Sequence, residues 1–262
     1  MKKQIIDKIF FKAKLRLLKL HYESKSGHLG GNLSSIDCLL TLYHMILNEN
    51  DLFVLSKGHS ACALYITLWS KGLISEKTLK TYGKDGTVLP AHPSGKKIPG
   101  LLFSTGSLGH GPSLSAGLAI ASKLKNKRNK IFCLCSDGEF QEGSVWETII
   151  FANHHKLDNL IIFIDQNKLQ GFGLTKEIVS YDDLETRISG FNVKVQSIDG
   201  HSPLCIINAV KKIKSKSLNI IILNTVKGIG LHNEGKLESH YLPLNENQYR
   251  QAINKLQEMY HQ

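Results

Sequence analysis

Short apolar runs, each closed by polar or small residues, recur along the chain at 52–56 (LFVLS), 130–136 (KIFCLCS), 159–165 (NLIIFID), 192–199 (NVKVQSID) and 219–226 (NIIILNTV). They are rich in Ile, Val and Phe, and several carry no in/out alternation. That pattern predicts strands covered on both faces. Between them, longer stretches with apolar residues three and four apart predict helices over about 3–22, 35–48, 59–71, 113–125, 143–155 and 203–215. Strands alternating with helices of this length imply βαβ units and a doubly wound, mostly parallel α/β sheet flanked by helices. Ligands of such sheets bind beyond the carboxyl ends of the strands.

One region breaks the alternation. Residues 82–112 are dense in Gly, Pro, Ser and His with little periodicity, and so long a loop within a compact domain is usually functional. No internal repeat, low-complexity segment or linker divides the chain, so residues 1–262 are expected to form one domain. The segment 245–262 predicts a polar terminal helix that packs on a partner.

Bulk properties narrow the classes. The chain is 42% hydrophobic and 21% charged, as for an ordinary soluble globular protein. No segment approaches the roughly 18 uninterrupted apolar residues of a membrane span. The N-terminus begins with two lysines, but Asp7, Lys8, Lys12, Lys14 and Arg16 interrupt any apolar core of a signal peptide. An amphipathic first helix, a cytoplasmic location and no membrane association are expected. The five cysteines are odd in number and lie in apolar surroundings, which suits reduced core thiols better than disulfides or a metal. A net charge of +11 raises nucleic acid as a partner. However, the lysines are spread along the chain and no zinc-finger or RNA-binding signature accompanies them, so no nucleic-acid partner is expected.

The chemistry gathers at strand ends. The run 131–136 empties into Asp137-Gly138, and a helix is predicted to begin near Gly143, where exposed amides suit a phosphate. About thirty residues on, after one helix and the next strand, comes DQNKLQG. That spacing is one βαβ crossover, so Asp137 and Asn167 are expected side by side at the ends of neighbouring parallel strands. A carboxylate and an amide oxygen facing a phosphate site suit a hard cation such as Mg²⁺. Taken singly, each residue also reads as an N-cap aspartate or a turn asparagine. His28, His59 and His92 sit in Gly/Ser-rich settings unlike those of core histidines. His21, His44, His154, His155 and His261 fall in helical stretches and are expected at the surface. His110 is placed near the site, and His201 and His232 carry no assignment.

The stretch SDGEFQEGSVWE (136–147), followed at this spacing by DQNKLQG, resembles the thiamine diphosphate motif in its transketolase form. SKSGHLGG (24–31), LSKGHS (55–60), AHPS (91–94), STGSLGHGPSLSAGLAIA (104–121) and VKGIG (226–230) also follow in that family's order. The chain is similar to the N-terminal, diphosphate-binding third of a transketolase. The resemblance implies a thiamine diphosphate-binding PP-type domain, with the pyrimidine-binding and C-terminal domains absent. It implies thiamine diphosphate and Mg²⁺ as cofactors, with Ca²⁺ or Mn²⁺ as substitutes. Asp137, Asn167 and the Leu169 carbonyl would bind the metal. The Gly138 backbone would hold the diphosphate with His59 and His240, His232 being the alternative to His240. Gly106 and Leu108 would contact the aminopyrimidine end, and His28 and His92, with His59, would act on the substrate. Glu142, and less directly Glu147, match carboxylates at a subunit boundary that link cofactor sites. Two departures stand out: Ser136 replaces the first glycine of the motif, and DQN stands where many relatives have two acidic residues or an Asp-Asn pair.

The implied reaction moves a two-carbon ketol unit from a ketose to an aldose, the cofactor serving as electron sink. The glutamate that activates this cofactor lies on the family's pyrimidine-binding domain. A separate pyrimidine-binding subunit, in an α2β2 heterotetramer, is therefore expected, and the chain alone should be inactive. The substrate would be a sugar or sugar phosphate, with nucleotide-linked sugars among the candidates. Two alternatives remain open here, the α subunit of a 2-oxoacid dehydrogenase E1 and a non-catalytic cofactor-binding relative.

Overall fold

A computed structural model describes residues 2–95, 98–180 and 183–260. Five strands, β1 (Leu52–Leu55), β2 (Ile131–Ser136), β3 (Leu160–Gln166), β4 (Lys194–Asp199) and β5 (Asn219–Asn224), form one sheet in the order β1-β2-β3-β5-β4. Every pairing is parallel. The helices of eight or more residues are α1 (Lys2–Ser24), α2 (Leu29–Thr41), α3 (Ala61–Ser70), α4 (His110–Leu124), α5 (Gly143–His154), α6 (Pro203–Lys211) and α7 (Glu246–Tyr260). The expected α/β class with a parallel sheet is what the chain adopts.

The continuous apolar runs hide an alternation that only the two cores reveal. Phe132, Leu134, Ile161, Phe163, Ile221 and Leu223 face one way, onto α1, α2, α3 and α6. Cys133, Cys135, Ile162, Ile164, Ile220 and Ile222 face the other, with Val145 and Ile149 of α5 and Ala116 and Ala119 of α4. Both faces being covered, every position can be apolar. The Sγ atoms of Cys133 and Cys135 lie 3.7 Å apart in the second core, on one side of β2 as their spacing requires.

Three expectations change. Helix α2 starts at Leu29, six residues before the predicted 35. Gly30 and Gly31 read as breakers, yet the Asn32 N–H donates to the His28 carbonyl at 3.1 Å and closes the first turn across them. The terminal helix α7, expected to pack on a partner, lays one face on α1 of its own chain and leaves most of its surface exposed. Tyr249 stacks on Tyr22 of α1 at 4.4 Å, Tyr260 meets Phe11 at 5.6 Å, and Ala252 and Leu256 are buried. His21, expected at the surface, is buried at the end of α1, where its Nδ1 contacts the Ser26 hydroxyl at 3.0 Å. His44 is half-buried against Ser70, and His261 lies outside the described residues. Among the described residues no helix is long and apolar enough to cross a membrane.

A buried ion pair locks the helical layer to the sheet. Lys14 of α1 meets Asp37 of α2 at 2.7 Å, with both side chains almost wholly buried. His201, in the turn after β4, approaches the same carboxylate through Nδ1 at 3.0 Å and accepts the Val226 N–H at Nε2. Because a backbone amide can only donate, Nε2 is the unprotonated nitrogen and Nδ1 carries the proton. Removing one partner of such a pair strands a buried charge. Asp37→Ala is therefore expected to cost roughly 3–5 kcal/mol in urea unfolding. The double variant Lys14→Met/Asp37→Leu should recover most of that loss.

Candidate functional site

The register decides the site. Ser136 of β2 pairs with Asp165 of β3, so Asp137 and Asn167 emerge beside one another just past the sheet edge. Asp137 opens a 3-10 turn, Asp137–Gln141, that turns the chain across the ends of β2 and β3. Its Oδ1 accepts the Gly138 N–H at 2.9 Å, and its Oδ2 accepts the Lys168 N–H at 2.8 Å and the Thr175 hydroxyl at 3.2 Å. Burial and the nearby Asp165 push its carboxyl above the usual range, against the pull of those donors. A buried carboxylate so disposed gains from a cation.

Around it lies a cleft of about 260 Å³ lined by His28, His59, His92, Gly106, Leu108, Asp137, Gly138, Asn167, Leu169 and His240. Segments far apart in the sequence supply them. A larger cavity of about 540 Å³ shares the Asp137 wall but contains none of the histidines. Gly106 has φ 155°, and a Cβ there would stand 3.3 Å from the His92 ring. At Gly138 a Cβ would press on the Gln170 side chain at 3.1 Å. Both glycines keep backbone open to the cleft.

His28 is the hub of the imidazoles. Its ring lies 5.7 Å from His59, 5.8 Å from His92 and 4.8 Å from His240, centroid to centroid. It holds φ +65°, and its N–H donates to the His240 carbonyl at 2.7 Å, which fastens the start of α2 to the 230–241 loop. Burial, then His92, Lys227 and Lys57, lowers His28 to about 4. Burial and Lys227 lower His240 to about 3. His59 falls well below its ordinary value through burial and Lys57, and His92 is lowered by burial.

Two lysines supply the positive charge, and sequence reading passes over both. Lys57, just after β1, is fully buried and pairs with Asp165. Despite burial, that ammonium and the hydroxyls around it hold Asp165 below the usual carboxylate range. Lys227 donates to the Leu169 carbonyl at 2.6 Å and to His240 Nδ1 at 2.7 Å. Burial, with repulsion from Lys57, lowers it to about 8. Gln170, Phe172 and Tyr241 also line the cleft without a sequence signal, Phe172 being highly exposed. Lysine reads as compositional background in this chain; the signal that identifies these two is a charged residue beside glycine just past a strand's carboxyl end.

Other assignments fall away from the cleft. Glu142, grouped with the cofactor residues for its match to a carboxylate at a subunit boundary, is exposed and does not line the cleft. Its extended backbone (φ −89°, ψ 130°) ends the 3-10 turn and carries it outward. Glu139 turns inward instead and is fully buried, accepting the Ser56 hydroxyl, the Gly109 N–H at 3.0 Å and the Ser136 N–H at 2.8 Å. The small Ser136 thus anchors the turn through a capping box. Glu147 and His110 are exposed. Of the two histidines left open for the diphosphate, His240 lines the cleft while His232 is exposed beside Gln248.

Fold and cleft together define a parallel α/β domain built to receive an anionic cofactor at its strand ends. Residues 9–260 match the family described as the transketolase, thiamine diphosphate binding domain, and the chain belongs to that family. The family's cofactor is thiamine diphosphate. An apulose-4-phosphate transketolase subunit from Phocaeicola vulgatus is 36% identical over 94% of this chain and 92% of its own length. The 6-deoxy-6-sulfo-D-fructose transketolase subunit SqwG of Clostridium sp. (strain MSTE9) is 40% identical over 88% of each chain. Among solved structures, the transketolase of Campylobacter jejuni superposes with a TM-score of 0.84 and 30% identity. That match covers 98% of this chain and 43% of the longer one. The transketolase of Leishmania mexicana, at 23% identity and a TM-score of 0.87, shares the fold; the match covers 98% of this chain and 41% of that one. The 2-oxoacid dehydrogenase alternative gives way to this membership.

The imidazole shifts make a pH statement. An unfolded histidine titrates near 6.5, whereas His28 and His240 in the folded, cofactor-free chain titrate near 4 and 3. Between those values the unfolded chain binds more protons, so stability falls as pH drops from about 6.5 toward 4. Carbon-13 NMR of the histidine rings should show His28 neutral throughout pH 5–8. A midpoint near 6.5 for His28 contradicts the described environment.

Proposed function

We propose that this chain is the diphosphate-binding subunit of a two-chain transketolase-type transferase, moving a two-carbon ketol unit between a ketose and an aldose sugar. The observation that carries this reading is the convergence, in one cleft, of Asp137, Gly138, Asn167, Leu169 and four histidines. The two-chain arrangement is supported by relatives named as subunits, which match this chain over nearly their whole length. Their names indicate sugar substrates, phosphorylated in one case and sulfonated in the other. A sugar carrying an anionic group is the substrate class we propose, with a separate pyrimidine-binding subunit in an α2β2 assembly as partner. The described residues are proposed to act as a single cofactor-binding domain.

The donor set suits Mg²⁺: one carboxylate (Asp137), one amide oxygen (Asn167) and one main-chain carbonyl (Leu169), all oxygen. Among the described residues no group of three or more His, Cys, Asp or Glu is arranged to hold a metal ion. Three protein oxygens would leave the remaining positions of a hard cation to diphosphate oxygens or water. When bound, thiamine diphosphate supplies the nucleophilic carbon and the electron sink. Gly138, with no side chain at the head of the 3-10 turn, lets the diphosphate approach the backbone closely, and Lys227 places a cation in the same cleft. The exposed backbone at Gly106 and the Leu108 side chain are placed to meet the cofactor's other ring. His28, His59 and His92, kept neutral by their surroundings, can each donate at one ring nitrogen and accept at the other. Such imidazoles can hydrogen-bond substrate hydroxyls, and one that accepts at one nitrogen while donating from the other relays a proton with no net change in its own charge.

The deciding experiment is reconstitution. The purified chain, mixed with its pyrimidine-binding partner, thiamine diphosphate and Mg²⁺, is expected to transfer ketol units, and the chain alone to give negligible turnover. Robust turnover by the chain alone refutes the two-chain reading. Asp137→Ala should abolish Mg²⁺-dependent cofactor binding, read by calorimetry. His92→Ala should lower kcat by more than it weakens cofactor affinity, in keeping with the roughly 10²–10⁴-fold range of positioned proton transfer.

A further inference from the structure

Asn167 is tied to Asp165, two residues before it on the same strand end. Its Nδ2 donates to Asp165 Oδ2 at 3.3 Å, while its Oδ1 accepts the Leu169 N–H at 3.1 Å. Asp165 is wholly buried, and its carboxylate is ringed by donors. Oδ2 receives the Lys57 ammonium, the Ser34 hydroxyl at 2.6 Å and the Ser35 hydroxyl at 3.3 Å. Oδ1 receives the Thr225 hydroxyl. Lys57, also wholly buried, and the three hydroxyls leave both oxygens of this carboxylate acting as acceptors. A neighbour can then face Asp165 only with a donor, so the NH2 end of the Asn167 amide turns toward it. The oxygen is left on the side of Leu169 and the cleft.

We propose that the Lys57–Asp165 pair is a positioning device that fixes which end of the Asn167 side chain faces the cation, and that it requires an amide at position 167. This rests on the cofactor reading given above. A carboxylate is a stronger ligand for Mg²⁺ than an amide, and at an isolated position Asn→Asp should tighten the ion. Here an aspartate would set two carboxylates within hydrogen-bonding distance of each other. It would lose the donor that Asp165 accepts and set acceptor against acceptor, so the side chain at position 167 could no longer be held in the same orientation. The reciprocal swap restores the donor–acceptor match at this contact, because an asparagine at position 165 can offer an NH2 to a carboxylate at position 167; buried Lys57 loses its direct counter-charge, so the recovery is partial.

The test is calorimetric titration of thiamine diphosphate against Mg²⁺ with the full chain, in its partner complex, as wild type, Asn167→Asp and Asp165→Asn/Asn167→Asp. Asn167→Asp is expected to weaken Mg²⁺-dependent binding at least tenfold, and the swap to recover at least threefold of that loss. Equal or tighter binding by Asn167→Asp overturns the positioning role and leaves the cofactor reading standing. A folded swap variant that recovers nothing overturns the pairing. Wild type without Mg²⁺-dependent binding overturns the cofactor reading and this inference with it. Should the swap not fold, side-chain amide NMR of the wild-type chain decides. Two separated Asn167 Nδ2 proton signals that exchange slowly support the bond to Asp165, and a rapidly exchanging amide overturns it.

Discussion

The buried carboxylate of Asp165 is the contact on which the upper edge of the sheet depends. It accepts from Ser34 and Ser35 in α2, from Lys57 beyond β1 and from Thr225 beyond β5 while itself standing in β3. Segments far apart in sequence thus meet at one pair of oxygens. Burying a charge is costly unless it is paired and its remaining lone pairs are filled, and here both conditions are met. The loops that line the cleft inherit their positions from this junction. A second buried carboxylate, Glu139, has a similar role on the other flank, drawing Ser56, Gly109 and Ser136 together.

Charge in the cleft is then divided among unlike groups. Asp137 carries negative charge that burial makes costly, and Lys227 carries positive charge that burial also weakens. The imidazoles between them stay neutral. The proposed anionic cofactor with its divalent cation would bring both signs, so each of these hydrogen-bonded charges would gain a counter-charge. The arrangement explains how a strongly basic chain can place an acidic residue at its proposed centre. The lysines that matter are the few aimed inward, and most of the remainder are solvated.

Much of this was legible in the sequence because the constraints were local. The five strands follow from unbroken Ile, Val and Phe runs, and the neighbouring places of Asp137 and Asn167 follow from one crossover length. The histidines in glycine-rich settings, His28, His59 and His92, do meet in one cleft, joined by His240. What escaped was set by tertiary contact. The early start of α2 overrides two glycines, and His21 is buried by packing that no periodicity reports. Glu139 and Glu142 stand three residues apart, and only the 3-10 turn sends one inward and the other to solvent. Lys57 and Lys227 were hidden by the abundance of lysine, since composition says nothing of direction.

One last consequence follows from the backbone at His28. A left-handed conformation costs a non-glycine residue on the order of 1–2 kcal/mol, and glycine or asparagine would relieve it. Yet this is the residue whose ring neighbours three other imidazoles. A redesign guided by stability alone would replace it first, and would remove the centre of the cluster. At this position backbone comfort and the placing of the imidazole pull in opposite directions.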